Sequence, residues 1–195
     1  MDPINLLVGI NLFVTMTSQI SAAKKGIKTS LSKVVKRPKS YLQKTPPNVS
    51  AVITLLIVLG VFDIGILQPE NSNDYLYHRA AGLVLFIIFS WLQIKVFKSL
   101  GDSYSQEVVI LKDHKLHTSG AYKVIRHPQY LCQILSDLGA GIALMSYLVV
   151  PLVLLLELPL FILRASFEEK MLAKHFDDEF ENYKKKSGFL LPFIG

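Results

Sequence analysis

The chain predicts an all-α fold: a polytopic bundle of about five membrane-spanning helices in a single membrane domain over residues 1–195. Three observations predict it. Hydrophobic residues make up 51% of the chain and charged residues only 18%, against about 25% in soluble domains. The apolar residues gather into five stretches close to the roughly 20 residues that cross a bilayer core. The lysines and arginines gather into segments between those stretches.

The expected spans cover residues 4–22, 49–67, 80–97, 130–147 and 149–166. The first carries Asn11, Thr15, Thr17, Ser18 and Gln19, so it is the most polar. It has neither the basic start nor the small-residue cleavage site of a signal peptide, and it reads as a span. A basic, partly amphipathic connector from Lys24 to Lys44 follows. It ends in Pro46-Pro47, which is expected to stop any helix before the second span. The fourth and fifth spans form one apolar block, and Ser146, Tyr147 and Pro151 mark a tight hairpin between them. Val108, Val109 and Ile110 look strand-like, and Ser119-Gly120 carries turn chemistry. Residues 167–186 read as a charged helix with Phe167, Met171, Leu172, Phe176, Phe180 and Tyr183 on one face. Such a helix lies on the membrane surface or covers a site beneath it.

Charge sets the expected orientation. Lys24 to Lys44 holds eight Lys or Arg, Lys98 to Arg126 five, and Arg164 to Lys186 six. Five crossings put all three segments on one side. The opposite side then has none, and Arg79 and Lys95 are left near helix ends, where they snorkel. The positive-inside rule places the N-terminus outside and the C-terminus in the cytosol, so the protein is expected to be an integral, multi-pass membrane protein with its active site on the cytosolic side.

The net charge of +6 suggests nucleic acid at first sight. Topology and contact with anionic membrane lipids account for it better, so no nucleic-acid partner is expected. Cys132, the single cysteine, falls inside a span and reads as a packing residue. His114, His117 and His127 have no cysteine or carboxylate cluster to complete a metal site, so none is expected. No phosphate loop, nucleophile elbow or zinc-protease motif is present.

Two groups could carry chemistry. The first is Tyr122, Arg126, His127, Pro128, Gln129 and Tyr130, where a basic segment turns into the fourth span. Pro128 suits a first helical turn, whose free N–H groups and dipole favour an anion. Arg126 and His127 add donors, and the tyrosines add flat faces and hydroxyls. That set suits a small ligand with a carboxylate and an aromatic base; from spacing alone an interfacial anchor explains it better. The second group is Arg164 with Glu168 and Glu169. Arg164 and Glu168 share a helix face, as a plain salt bridge would. The hairpin brings this group to the same side as the first. Asp63, Asp137 and Glu157 fall inside spans, where ionisable groups are costly and need partners or protons.

Leu116 to Tyr130 reads LHTSGAYKVIRHPQY, and the tail reads RASFEEKMLAKHFDDEFENYKKKSGFLLPFI. From Ser99 onward the chain resembles the isoprenylcysteine carboxyl methyltransferase family, in a short form. The shared pattern is Thr-Ser-Gly-x-Tyr, Arg-His-Pro-x-Tyr, a helical hairpin, an Arg and a Glu-Glu pair. Asp177 stands where the family pattern has Gly, Phe180 where it has Tyr, Cys132 where many members have Gly, and Ser187-Gly188 where it has Val-Pro. The resemblance implies S-adenosylmethionine as cofactor, leaving as S-adenosylhomocysteine. It implies that His114, Lys115, Leu116, His117, Tyr122, His127, Pro128, Gln129, Tyr130 and Glu168 bind the cofactor, and that Arg164 binds substrate, with Arg164 and Glu168 as the catalytic pair. It implies methyl transfer to the C-terminal carboxylate of an isoprenylated cysteine, borne by a prenylated protein or a lipid-modified small molecule. A phospholipid methyltransferase, an NADPH-dependent membrane reductase of related fold and a small channel or transporter subunit are the alternatives. An amine acceptor suits Arg164 poorly, the reductases are longer, and a channel calls for a polar path through the apolar outer half.

Overall fold

Asp2 starts the first helix. Its side chain accepts hydrogen bonds from the N–H groups of Ile4 and Asn5, and Pro3 fills the first turn, where its missing N–H costs nothing. This helix, α1, runs Pro3–Lys33 in the computed structural model, which describes residues 2–36, 38–68, 72–100, 108–111, 116–192 and 194–195. It is longer than the expected span and absorbs much of the basic connector, because no Gly-Pro break interrupts residues 23–33. The connector then forms a short strand, β1 (Val34–Lys36). This pairs antiparallel with β2 (Ile110–Leu111), placing Val34 opposite Leu111 and Lys36 opposite Ile110. The strand-like stretch read at 108–110 is therefore partly a strand, and its partner came from the connector.

A 3-10 turn, Tyr41–Gln43, leads into α2 (Thr45–Val61). Here the structure corrects the reading of Pro46-Pro47. The prolines do not hold the helix off; they occupy its first turn, where their fixed φ favours helix and no N–H is required. The next helix, α3 (Leu76–Leu100), contains the whole expected third span. Arg79, expected to snorkel, is instead buried at 7% exposure. Its guanidinium meets both Asp2 carboxylate oxygens at 2.9 and 2.7 Å, Asn5 Oδ1 at 2.9 Å and the Ala143 carbonyl at 3.0 Å.

Pro128 opens α4 (Pro128–Ala143) at its first position, as the sequence predicts. The helix ends four residues earlier than expected, because the chain reverses at Met145, which takes a left-handed φ of 54°. Ser146 Oγ then accepts from the Val149 N–H at 3.2 Å and begins the return helix. That helix is continuous over Val149–Phe176. It comprises α5 (Val149–Leu152), a π-turn (Val153–Glu157) and α6 (Leu158–Phe176). Pro159 cannot donate to a preceding carbonyl, and the wider π-turn at Val153–Glu157 lies just before it.

The separate helix expected at 167–186 is not formed. Nothing between Arg164 and Phe176 breaks a helix, so α6 runs straight through. The break falls at Asp177, with φ 42° and ψ −117°, and a short α7 (Asp178–Lys184) follows.

Three helices, Tyr41–Val61, Leu76–Leu100 and Val149–Phe176, are long and apolar enough to cross a membrane, so the chain is an integral membrane protein. The apolar part of α1, Pro3–Ser18, is shorter. At 16 residues α4 spans about 24 Å, less than a typical bilayer core. It is the central helix: Ile134, Ser136, Asp137, Gly139, Ala140 and Ala143 are all buried. Its approach to α3 is set by facing glycines. A Cβ at Gly82 would meet the Ala143 nitrogen at 2.6 Å, and one at Gly139 would meet the Phe86 nitrogen at 2.5 Å. Small residues permit such contact where apolar packing against lipid gives no preference.

Several polar groups inside the bundle find partners in neighbouring helices. Asn11 donates to Ser90 at 3.0 Å and accepts from the Trp91 indole at 3.0 Å. Asp63, expected inside the second span, instead lies exposed in the turn past the end of α2, where it accepts from Asn5 at 2.9 Å. Asp137 accepts from Gln133 at 2.7 Å, Ser50 donates to Glu157 at 2.5 Å, and the two carboxyls adjoin each other.

Candidate functional site

The start of α4 and the middle of α6 form one polar cluster. Tyr130 lies one turn into α4, and its hydroxyl donates to Glu168 Oε2 at 2.9 Å while accepting from Arg164 Nε at 3.0 Å. The two α6 residues four apart on one face are thus joined through a tyrosine from the neighbouring helix. Arg164 is 4% exposed. Its Nη1 donates to the main-chain carbonyls of Leu42 and Gln43, each at 3.1 Å. Its Cζ stands 6.0 Å from the Tyr130 ring centre, within cation–π range.

Aromatic stacking sets the orientation of Tyr130. One face stacks on Phe161, centroids 4.8 Å apart, and the His127 ring lies parallel to it at 5.5 Å. The His127 ring packs edge-on against Phe189. Its Nε2 is 3.2 Å from Glu169 Oε1, and its Nδ1 is 3.8 Å from Glu168 Oε2. His127, Tyr130 and the Glu168-Glu169 pair therefore come together as the sequence suggested.

Arg126 does not join them as a free anion donor. Its Nε donates to Glu169 at 2.5 Å. Its remaining donors go to the carbonyls of Lys184, Ser187 and Gly195. The main chain adds to this clamp: Arg126 N donates to the Gly188 carbonyl at 2.8 Å and Gly188 N to the Val124 carbonyl at 2.9 Å. Arg126 fastens the C-terminal tail across the head of α4. The sequence missed this because every one of those partners is more than forty residues away.

Tyr122, on a 3-10 turn at Gly120–Lys123, is buried and meets His117 edge-on at 5.0 Å. Gly120 opens that turn with φ +60°, which its missing side chain allows. The Tyr183 hydroxyl donates to the Tyr122 carbonyl at 2.5 Å, and burial pushes its pKa up to about 12. His117 also lies 3.4 Å from the Ser119 hydroxyl, and Leu116 is half-buried beside it. His114 and Lys115 lie outside the described residues. Pro128 is buried at the helix start, and the Oε1 of Gln129 is a buried acceptor with no hydrogen-bond partner. No group of three or more metal-ligating side chains occurs among the described residues.

Sequence reasoning overlooked Leu42, Gln43, Phe161 and Phe189. The first two act through long-range contacts from a segment read as a connector. A signal was present: Ser40 and Gln43 have the spacing of a capped turn, and the Ser40 Oγ does cap it, accepting from the Leu42 N–H at 3.2 Å.

A model of the isoprenylcysteine carboxyl methyltransferase (ICMT) family matches residues 82–174. A probable protein-S-isoprenylcysteine O-methyltransferase of Oryza sativa subsp. indica is 30% identical over 131 residues, covering 66% of this chain and 68% of the relative. The protein-S-isoprenylcysteine O-methyltransferase of Saccharomyces cerevisiae is 31% identical over 115 residues, 58% of this chain and 48% of that one. The structure of a eukaryotic intramembrane Ras methyltransferase ICMT superposes on all of this chain and 69% of its own, with a TM-score of 0.66 at 21% identity, which shows a common fold. With that fold and these relatives, the chain belongs to the isoprenylcysteine carboxyl methyltransferase family.

Proposed function

We propose that the protein methylates the C-terminal carboxylate of an isoprenylated cysteine, on a prenylated protein or a lipid-modified small molecule, with S-adenosylmethionine as methyl donor. The observation that carries this reading is the buried Arg164, oriented by Tyr130 and two main-chain carbonyls and joined through Tyr130 to Glu168. A terminal carboxylate, with a pKa of about 3.5, is already ionised at neutral pH, so the acceptor needs no general base. The protein has to align it and exclude water. Arg164 holds the carboxylate, and the Tyr130 hydroxyl keeps the guanidinium from rotating.

The donor site that fits the residues lies around the head of α4. Gln129 Oε1 awaits a hydrogen-bond donor. Glu168, whose side chain is 28% exposed, presents a carboxylate to amine or hydroxyl groups. Tyr122, His127, Pro128 and Tyr130 form the walls, with Leu116 and His117 beside them. When bound, the donor supplies a methyl group already activated by its sulfonium. The basic segments support five crossings, with the N-terminus outside and this site on the cytosolic side. The tail held by Arg126 covers it.

Calorimetry with S-adenosylhomocysteine tests the donor site. Micromolar-range binding by the wild type, weakened in Glu168→Ala and His127→Ala, is expected. A well-folded wild type that binds none overturns the reading. Transfer of labelled methyl to an S-prenylcysteine tests the acceptor.

A further inference from the structure

Arg164 is oriented by a turn 121 residues away in the chain. The turn Tyr41–Gln43 aims two consecutive carbonyls at one guanidinium nitrogen. Such a grip holds direction only if the turn itself is fixed. Its N-terminal side is fixed by the Ser40 cap. Its far side is fixed by the Gln43 side chain, which completes both hydrogen bonds of a single peptide residue. Gln43 Oε1 accepts from the Val108 N–H at 2.8 Å, and Nε2 donates to the Val108 carbonyl at 2.8 Å. The primary amide thus pairs with Val108 as a strand neighbour would, through two bonds that leave little freedom to rotate. Val108 and Val109 are buried at 4% and 6% exposure, so the peptide that receives Gln43 is itself anchored. One residue therefore touches Arg164 with its main chain and, with its side chain, the Val108 peptide just ahead of β2.

We propose that Gln43 is a positioning residue for methyl transfer, setting the Leu42 and Gln43 carbonyls that orient Arg164 against the anchored Val108 peptide. This rests on the methyltransferase reading above. Gln43 touches neither donor nor acceptor; it acts through Arg164. Losing its clamp lets the carbonyls drift, and a displacement near 1 Å at an aligning group costs roughly 10²-fold in rate. The loss falls on the acceptor side, since the donor's own contacts lie around α4.

Gln43→Met keeps the side chain's length and removes both hydrogen bonds. Gln43→Glu keeps the acceptor oxygen and removes the donor. Lys44→Ala, an exposed neighbour, is the control. Each is purified in detergent beside the wild type. The readouts are S-adenosylhomocysteine affinity, kcat and KM for an S-prenylcysteine, and the unfolding temperature. The expected result is a fall of roughly 30-fold in acceptor kcat/KM for Gln43→Met and a smaller fall for Gln43→Glu. Analogue affinity then stays within about three-fold and Lys44→Ala matches the wild type. Unchanged acceptor kinetics in both variants overturn the proposal. So does a parallel fall of analogue affinity, kcat/KM and unfolding temperature, which is the mark of a packing role. A wild type that neither binds the analogue nor transfers methyl defeats the methyltransferase reading itself, and the two failures are distinct.

Discussion

Arg79 and Arg164 sit at the two ends of α4, equally buried, and they are held in different ways. Arg79 reaches the C-terminal end and meets a carboxylate, Asp2, in a two-pronged pair, with Asn5 and the Ala143 carbonyl filling its other directions. Arg164 meets the N-terminal end, and its bonds to Tyr130, Leu42 and Gln43 end on a phenol and two amide oxygens. A carboxylate partner satisfies a guanidinium and neutralises it. The three neutral oxygens on Arg164 fix its direction from two sides. The first arrangement is a clasp, and the second is a grip that sets the direction of a guanidinium beside Glu168. Arg126 is a second clasp, closed by Glu169 and the carbonyls of the tail.

Substitutions at the three arginines can break this contrast. Arg164→Ala should have the largest effect: acceptor kcat/KM falls on the order of 10²–10³-fold, as for loss of an electrostatic donor. S-adenosylhomocysteine affinity should stay within a few-fold by calorimetry. Equal loss of both would place Arg164 among the clasps. Arg126→Met takes the guanidinium from the buried Glu169, leaving it only His127 and Lys184, and frees the tail. It should lower stability by about 3–5 kcal/mol, read as an earlier unfolding transition in detergent. Arg79→Met should cost less, about 2 kcal/mol, because the Asp2 side chain is one-third exposed and water replaces part of the pair. Methyl transfer by the folded Arg79→Met fraction should be unchanged.

The pH dependence of the Arg79–Asp2 clasp has a defined sign. The Arg79 hydrogen bonds hold the Asp2 carboxyl below its ordinary pKa of 3.8. A folded pKa below the unfolded one means stabilisation that is complete above pH 3.8 and fades as pH falls through the folded value. Unfolding temperature measured down the acid limb should fall in the wild type, and Asp2→Asn should remove that part of the slope. The smallest effect is a gain. Asp177 holds φ 42° at the α6–α7 break, where the family pattern carries Gly, and Asp177→Gly should raise stability by about 1 kcal/mol by relieving that backbone. A lower unfolding temperature in Asp177→Gly would show that its side chain contributes more than its strain costs.

The sequence by itself determined the helical class and much of the site's cast. Apolar length marks the long helices, because a bilayer leaves no other way to satisfy a crossing backbone. Pro128 marks the start of α4, since its ring fits only the first turn. Arg-His-Pro-x-Tyr and the Glu-Glu pair mark the cluster at residues 126–130 and 168–169, because local spacing puts them on shared faces. Tertiary structure decided the rest. The basic connector became helix, strand and a turn that holds Arg164. The expected separate C-terminal helix became the end of α6. Arg79 and Arg126, read as a snorkelling side chain and an anion donor, became clasps. The strand, the turn and the clasps each depend on partners forty to more than a hundred residues away. Local propensity and periodicity report only neighbours within a turn or two. A buried guanidinium is defined by which oxygens surround it, and only the packed chain supplies those.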